Sequence, residues 1–263
     1  MIHIAITAGG TEEPIDGVRK ITNMSSGSLG WHCLEALLAN MHKQNRTDFE
    51  IHYIKAPKAI TKQLDAKYQP HVNFVNVSDT QSVYNSVERL LDRVKIDLFI
   101  HSMAISDFAY AYSASIADLA SELHQAFREN KDISTEEIEA ILRDPKNKYS
   151  KEDKISSQKE ILMGFKTTPK VISLIKKKNP ETFLVGFKLV KSHDEEFLIS
   201  EAEKLRKINR CDAVFANESS QLSEESHAGI LMHLGKIVAR PTGKREIAET
   251  IVNFAVNEIL KNE

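Results

Sequence analysis

Residues 2–8 form a short apolar, β-branched run that stops at Gly9 and Gly10, the pattern of a buried strand with a sharp exit. Comparable runs recur at 49–54, 72–77, 97–104, 182–189 and 212–216. Between most of them apolar residues return every three or four positions, over 29–38, 80–94, 169–178 and 194–209, which is helical periodicity. Strands that alternate with helices predict an α/β fold, a doubly wound, mostly parallel Rossmann-like sheet with crossover helices on both faces. Two stretches break this rhythm. Residues 113–153 are charged and rich in helix formers, and predict an insertion of two helices before the loop Asp144-Pro145-Lys146-Asn147-Lys148. Residues 229–238 place apolar runs on either side of Leu234-Gly235-Lys236, a small hairpin appendage, ahead of an amphipathic helix over 244–260.

Composition narrows this picture. A chain of 263 residues with 41% hydrophobic content can bury one large core with a small appendage, so a single domain is expected. The 35 basic and 37 acidic side chains leave a formal charge of −2, so no global field draws nucleic acid or an anionic membrane, and any anion site is local. No apolar run approaches the roughly 20 residues of a membrane span. The start MIHIAITAGG lacks the pattern of a signal peptide, which predicts a cytoplasmic protein. Cys33 and Cys211 are far apart and read as buried thiols. The ten histidines include no i,i+4 pair of metal-ligand spacing, which argues against a metalloenzyme built on them.

In an open parallel sheet ligands bind beyond the carboxyl ends of the strands, where helix amino termini present free N–H groups. The strongest candidate is the segment from Thr7 to Gly30. Here a strand leads into a long polar loop carrying Glu12, Glu13, Asp16, Arg19, Lys20 and Asn23, and then into a helix. Ser25 and Ser26 suit a helix cap, and Gly27 and Gly30 allow close approach of backbone and ligand, so this end is expected to take a phosphate-like anion. The pattern is neither GxGxxG nor GxxxxGK[ST]. A second candidate runs from His101 to Phe108, where small residues let a flat base lie on the backbone and Asp107 can accept from ribose hydroxyls. Three weaker pieces follow. Lys154 stands beside Ser156 and Ser157, Gly186-Phe187-Lys188 closes a strand with an aromatic and a base, and Asn217 ends another strand with an amide.

Taken in order, these five pieces resemble the phosphopantothenoylcysteine synthetase family over most of the chain outside 113–153. The resemblance implies a ligase that joins 4′-phosphopantothenate to L-cysteine through an acyl-nucleotide intermediate, releasing pyrophosphate and a nucleoside monophosphate, on the route to coenzyme A. It implies a single-function chain with no fused decarboxylase, CTP favoured over ATP as cosubstrate, Mg2+, and a homodimer to which the hairpin at 229–238 contributes. By the same resemblance Asn23 assists turnover of the intermediate, and Ser25, Ser26 and Gly27 match the phosphate-cradling helix start, with Gly9 and Gly10 of the preceding turn expected among the nucleotide-binding residues. Met103, Ala104 and Asp107 match the base and ribose turn, Lys154 the triphosphate lysine, Phe187 the nucleotide-contacting aromatic and Asn217 the amide of the nucleotide pocket. The chain departs from the family in two places. Val190 stands where an acid is usual, and Asn209 occupies a lysine place, leaving Lys204 and Lys207 as the nearest triphosphate contacts.

Two other functions share this kind of fold. A short-chain NAD(P)-dependent reductase needs a tyrosine with a lysine four residues on, and none of the six tyrosines has one. A noncatalytic nucleotide-binding regulator does not require Asn23, Asp107, Lys154 and Asn217 together.

Overall fold

The computed structural model describes residues 1–149, 160–191, 194–218 and 227–261. In chain order the elements are β1 (Ile2–Ala8), β2 (Glu12–Pro14), β3 (Lys20–Thr22), α1 (Ser28–Lys43), β4 (Phe49–Lys55), β5 (Val72–Asn76), α2 (Thr80–Arg93), β6 (Leu98–His101), β7 (Phe108–Ser115), α3 (Ile116–Glu129) and α4 (Thr135–Arg143). There follow β8 (Lys148–Tyr149), β9 (Ile161–Thr167), α5 (Val171–Lys178), β10 (Phe183–Val190), α6 (Glu195–Asn209), β11 (Ala213–Glu218), β12 (Gly229–His233), β13 (Lys236–Ala239) and α7 (Lys244–Leu260). They form two compact units, one of residues 1–11, 23–105 and 169–263, the other of 12–22 and 106–168.

The larger unit is built on an eight-stranded sheet in the order β13-β12-β11-β10-β6-β1-β4-β5. The six strands from β11 to β5 are parallel, and β12 and β13 run antiparallel at one edge. Every strand and helix predicted for this unit is present, and the hairpin at 229–238 continues the main sheet as its edge pair. β1 is mostly apolar, Ile2, Ile4, Ala5, Ile6 and Ala8 being buried, because both of its faces are covered; His3 and Thr7 are its polar exceptions. Ile2, Ile4 and Ile6 pack with Trp31, Leu34 and Leu37 of α1 and Ile251 and Val252 of α7. On the opposite face Ala5 joins Ile54, Phe99 and the buried side chains of α2, α5 and α6. Cys33 and Cys211 are buried free thiols, as expected, and burial pushes both up to about 12.

Helix starts follow local chemistry. The Asp79 side chain accepts from Ser82 N–H to cap α2, and the Asp194 side chain accepts from Glu196 N–H to cap α6. The starts of α1 and α7 differ: both are glycines, Gly27 (φ 70°) and Gly243 (φ 74°), neither of which has a side chain with which to cap its helix. β11 and β12 are antiparallel, as are β12 and β13, so α7 begins at the same sheet edge as α1.

The smaller unit is where the sequence reading fell short. Its helices α3 and α4 lie where the insertion at 113–153 predicted them, and α4 opens on a capping box of Ser134 and Glu137. The same unit also holds a three-stranded antiparallel sheet in the order β8-β7-β9 and a β2–β3 ribbon, none of which was predicted. Strand β9 shows burial classes without alternation and is exposed at Leu162 and Phe165, so it carries neither of the usual strand signals. A Cβ on its Gly164 would sit 2.2 Å from the Tyr112 ring of β7, so only glycine fits there. Where one domain with a helical insertion was expected, the contacts define a second unit with a sheet of its own.

Candidate active site

In the parallel part of the sheet the chain moves outward from β1 to β4 and β5, then returns to β6 on the other side of β1. The order therefore reverses between β1 and β6, and the crevice beyond their carboxyl ends is where such sheets bind ligands. Two turns meet there. Ala104 N–H donates to Gly9 O at 2.8 Å, and Thr11 N–H donates to Ala104 O at 3.1 Å, so the backbone after β6 pairs with the backbone after β1. Ser102 Oγ donates to Thr7 O at 2.7 Å, and Met103 N–H donates to Thr7 Oγ1 at 3.3 Å. His101 Nδ1 lies 3.0 Å from Thr7 Oγ1, and burial lowers this imidazole to about 4, so it is neutral near pH 7.

Asn23 closes this turn. Its Nδ2 donates to Ala104 O at 3.1 Å and its N–H to Thr11 O at 3.3 Å. Gly10 is required here, because a Cβ would lie 2.2 Å from Asn23 O. Gly27 has left-handed geometry, and a Cβ there would come within 2.9 Å of Gly9 N. Gly9, Gly10, Asn23 and Gly27 are therefore brought together, and Ser26 O accepts from Ile60 N–H at 2.9 Å, tying the same loop to the segment after β4. Ser25 and Ser26, expected as caps, are not the cap residue. Gly27 is, and Ser28 N–H donates to Ser26 Oγ at 3.4 Å. With no side chain of the cap residue and no acid in its first turn, the start of α1 keeps the N–H groups after Ser28 and its positive dipole end available to an anion.

Other residues fall differently from the sequence reading. The polar loop with its many charges is mostly the β2–β3 ribbon, in which Lys20 pairs with Glu12 and Arg19 Nε donates to Asp16 at 2.7 Å. The hydrogen bonds from Arg19 lower Asp16 to about 2. Met103 is buried in the core, so only its backbone is turned to the crevice, whereas Ala104 takes part through both of its backbone groups. Asp107 is exposed and belongs to the smaller unit. Lys154 lies outside the described residues.

β10 runs past the end of β6, since Gly186 pairs with His101, and this places Phe187 and Lys188 at the ligand edge. Neighbouring strand residues point to opposite faces. Phe187 packs on Phe215 (5.9 Å between ring centroids) on the α1 and α7 face, while Lys188 Nζ reaches Glu201 of α6 on the other at 3.0 Å. Lys204 pairs with Glu201 at 2.6 Å and Lys207 with Glu203 at 3.5 Å. Counted from the ligand-edge start of α6, these two lysines are roughly 14 and 18 Å along its axis. The structure therefore does not bring these two lysines to the glycine turns. Asn217 is buried at the end of β11, with its Nδ2 3.3 Å from His227 Nε2. Sequence reading placed Thr7 and His101 at the heads of its two candidate segments without giving either a role, and did not single out His227. A lone histidine carries no signal until its neighbours are known, but Thr7 ending a strand before two glycines was visible.

The crevice thus defines a class: a doubly wound α/β protein with a glycine-lined turn and an open helix start at its switch point. The chain belongs to the family of the DNA/pantothenate metabolism flavoprotein C-terminal domain, whose sequence model matches residues 1–140 and 120–259. The crystal structure of the DNA/pantothenate metabolism flavoprotein from Streptococcus pneumoniae is 29% identical and superposes with a TM-score of 0.76, covering 98% of this chain and 100% of that one. The coenzyme A biosynthesis bifunctional protein CoaBC of Thermococcus kodakarensis is 26% identical over 251 residues, 95% of this chain and 49% of the relative. Its counterpart in Methanocaldococcus jannaschii is 26% identical over 267 residues, 99% of this chain and 51% of the relative. The chain spans about half the length of these curated relatives. A Cab2 mutant solved in complex with phosphopantothenate-cysteine shares the fold at 15% identity with a TM-score of 0.69, covering 99% of this chain and 87% of that one.

Proposed function

We propose that the chain is a phosphopantothenate–cysteine ligase of coenzyme A biosynthesis that works through an acyl nucleotide. The observation that carries this reading is the Asn23 amide held on Ala104 O at the sheet switch point, a few residues ahead of the open start of α1. An amine does not displace oxide from a carboxylate, so the carboxylate must first be activated. A phosphopantothenate oxygen attacks the α-phosphorus of a nucleoside triphosphate, that P–O bond forms, and pyrophosphate leaves. The cysteine amine then attacks the acyl carbon, the C–N bond forms as the amine loses a proton, and the acyl C–O bond breaks with its electron pair going to the departing nucleoside monophosphate. Both steps move charge between oxygens, which positioned N–H donors stabilise.

In this reading the start of α1 takes a phosphate, and the backbone of Gly9, Gly10 and Ala104 supports the nucleotide. By the family resemblance Asp107 is assigned to the ribose, Phe187 and Asn217 to the nucleotide, and Lys154 to the triphosphate. CTP is favoured over ATP, Mg2+ arrives on the triphosphate, and the sheet edge at β13 forms a homodimer. The resemblance of the five motifs, the family match and the curated relatives all support the same chemistry.

The test is pyrophosphate release from CTP and Mg2+ on addition of 4′-phosphopantothenate, with the cysteine adduct formed only once cysteine is present. Folded protein that releases no pyrophosphate with any nucleoside triphosphate refutes the proposal. Asn23→Asp is expected to activate the carboxylate but to ligate slowly, so quenched reactions analysed by mass spectrometry show accumulated acyl nucleotide. Parallel loss of both half-reactions would instead assign Asn23 to the shape of the turn.

A further inference from the structure

At the amino-terminal end of the sheet, away from the glycine turns, three side chains from two strands converge. His3 of β1 stands directly opposite Glu50 of β4 in the parallel register, and His52 follows two residues along β4 on the same face. One ligand atom from each, either a ring nitrogen or a carboxylate oxygen, lies within 4.8 Å of the others. Glu50 Oε2 is 3.3 Å from His3 Nδ1 and 3.8 Å from His52 Nε2. Yet both ring nitrogens are buried and make no hydrogen bond among the described residues. The other carboxylate oxygen of Glu50 is already held by the side-chain amide of Asn73, on the neighbouring strand β5.

We propose that His3, Glu50 and His52 form a binding site for one divalent transition-metal ion, with Zn2+ the best match. Two imidazoles and a carboxylate are a recurrent three-ligand zinc set, with water completing the coordination. A cation between the three would engage both ring nitrogens and the carboxylate oxygen at once. Ligands about 2.1 Å from a tetrahedral ion lie about 3.4 Å apart, so only a small closure of the side chains is needed. Asn73 acts as the outer partner that orients a ligating carboxylate. The His3 and Glu50 side chains are 23% and 32% exposed, which leaves the ion a path from solvent. The site would clamp β1 to β4 at the end of the sheet remote from the crevice, independently of the proposed ligase chemistry.

The full chain, dialysed against chelator and then titrated with ZnCl2 by calorimetry, is expected to bind one equivalent. Co2+ at the same site is expected to give the visible absorption of a low-coordinate ion. Glu50→Gln should weaken Zn2+ at least tenfold, Asn73→Ala about tenfold, and His3→Gln with His52→Gln should abolish it. His32→Gln, which removes another histidine–glutamate pair at 2.9 Å, should change nothing. The proposal is overturned if wild-type protein binds no stoichiometric Zn2+, if binding ignores Glu50→Gln and Asn73→Ala, or if His32→Gln abolishes it. Because Glu50 and Asn73 are partly exposed, their variants keep the test valid should the double histidine variant fail to fold.

Discussion

His101 shows how one residue can set a dependence of the whole fold. It is buried, bonded to Thr7 and lowered to about 4, whereas an unfolded histidine titrates near 6.5. Between those values the unfolded chain takes up a proton that the folded chain refuses, so this contribution to stability is intact above pH 6.5 and is lost as pH falls toward 4. Between pH 7 and pH 5 the loss is about 2 kcal/mol. Urea unfolding at both pH values, compared with His101→Gln, should show that difference disappear in the variant; an equal pH dependence in both proteins would place the effect elsewhere. His227 is lowered by burial as well, and the comparison cancels it.

At the scale of elements, the start of α1 is the feature on which both stability and the proposed phosphate site depend. Gly27 combines φ 70° with a neighbour 2.9 Å from where a Cβ would be, so Gly27→Ala carries both backbone strain and a clash. The expected cost is about 2 kcal/mol or more, together with weaker nucleotide binding as the helix start shifts. Gly17 provides the control. It has nothing within 4 Å of a Cβ and no positive φ, so Gly17→Ala should stay within about 0.5 kcal/mol of wild type. Thermal unfolding of the two variants side by side separates this prediction from a general intolerance of glycine replacement.

For the whole molecule, one edge of the main sheet is β13, which pairs with β12 on one side only. An edge strand with an apolar residue exposed, here Val238 at 43%, is a ready surface for a second copy. If the proposed homodimer uses this edge, Val238→Lys should weaken association at least tenfold, about 1.4 kcal/mol, with the fold retained. Sedimentation velocity over a range of concentrations checks it, and an unchanged dimer would move the interface elsewhere.

What could be read from sequence was whatever repeats locally. The apolar runs of β1, β4, β6, β10 and β11 and the helical periods between them signal their own conformation because the core covers them, and the edge strand β5 and the hairpin after Gly229 do so through their β-branched residues and turn. The first motif was also legible, since Gly9, Gly10, Asn23 and Gly27 lie close in sequence and meet in one turn. The strands of the smaller unit were not, because half-exposed residues such as those of β9 give no periodic signal and are strands only through their partners. The same holds for side chains. Sequence adjacency suggested that Phe187 and Lys188 act together, whereas strand alternation sends them to opposite faces. His3 and His52 are 49 positions apart, and only the parallel register of β1 with β4 brings them to one carboxylate. Local periodicity is a property of the chain itself, while register, face and the direction of a helix from the sheet edge are set by which strands pair, and that is decided by tertiary structure.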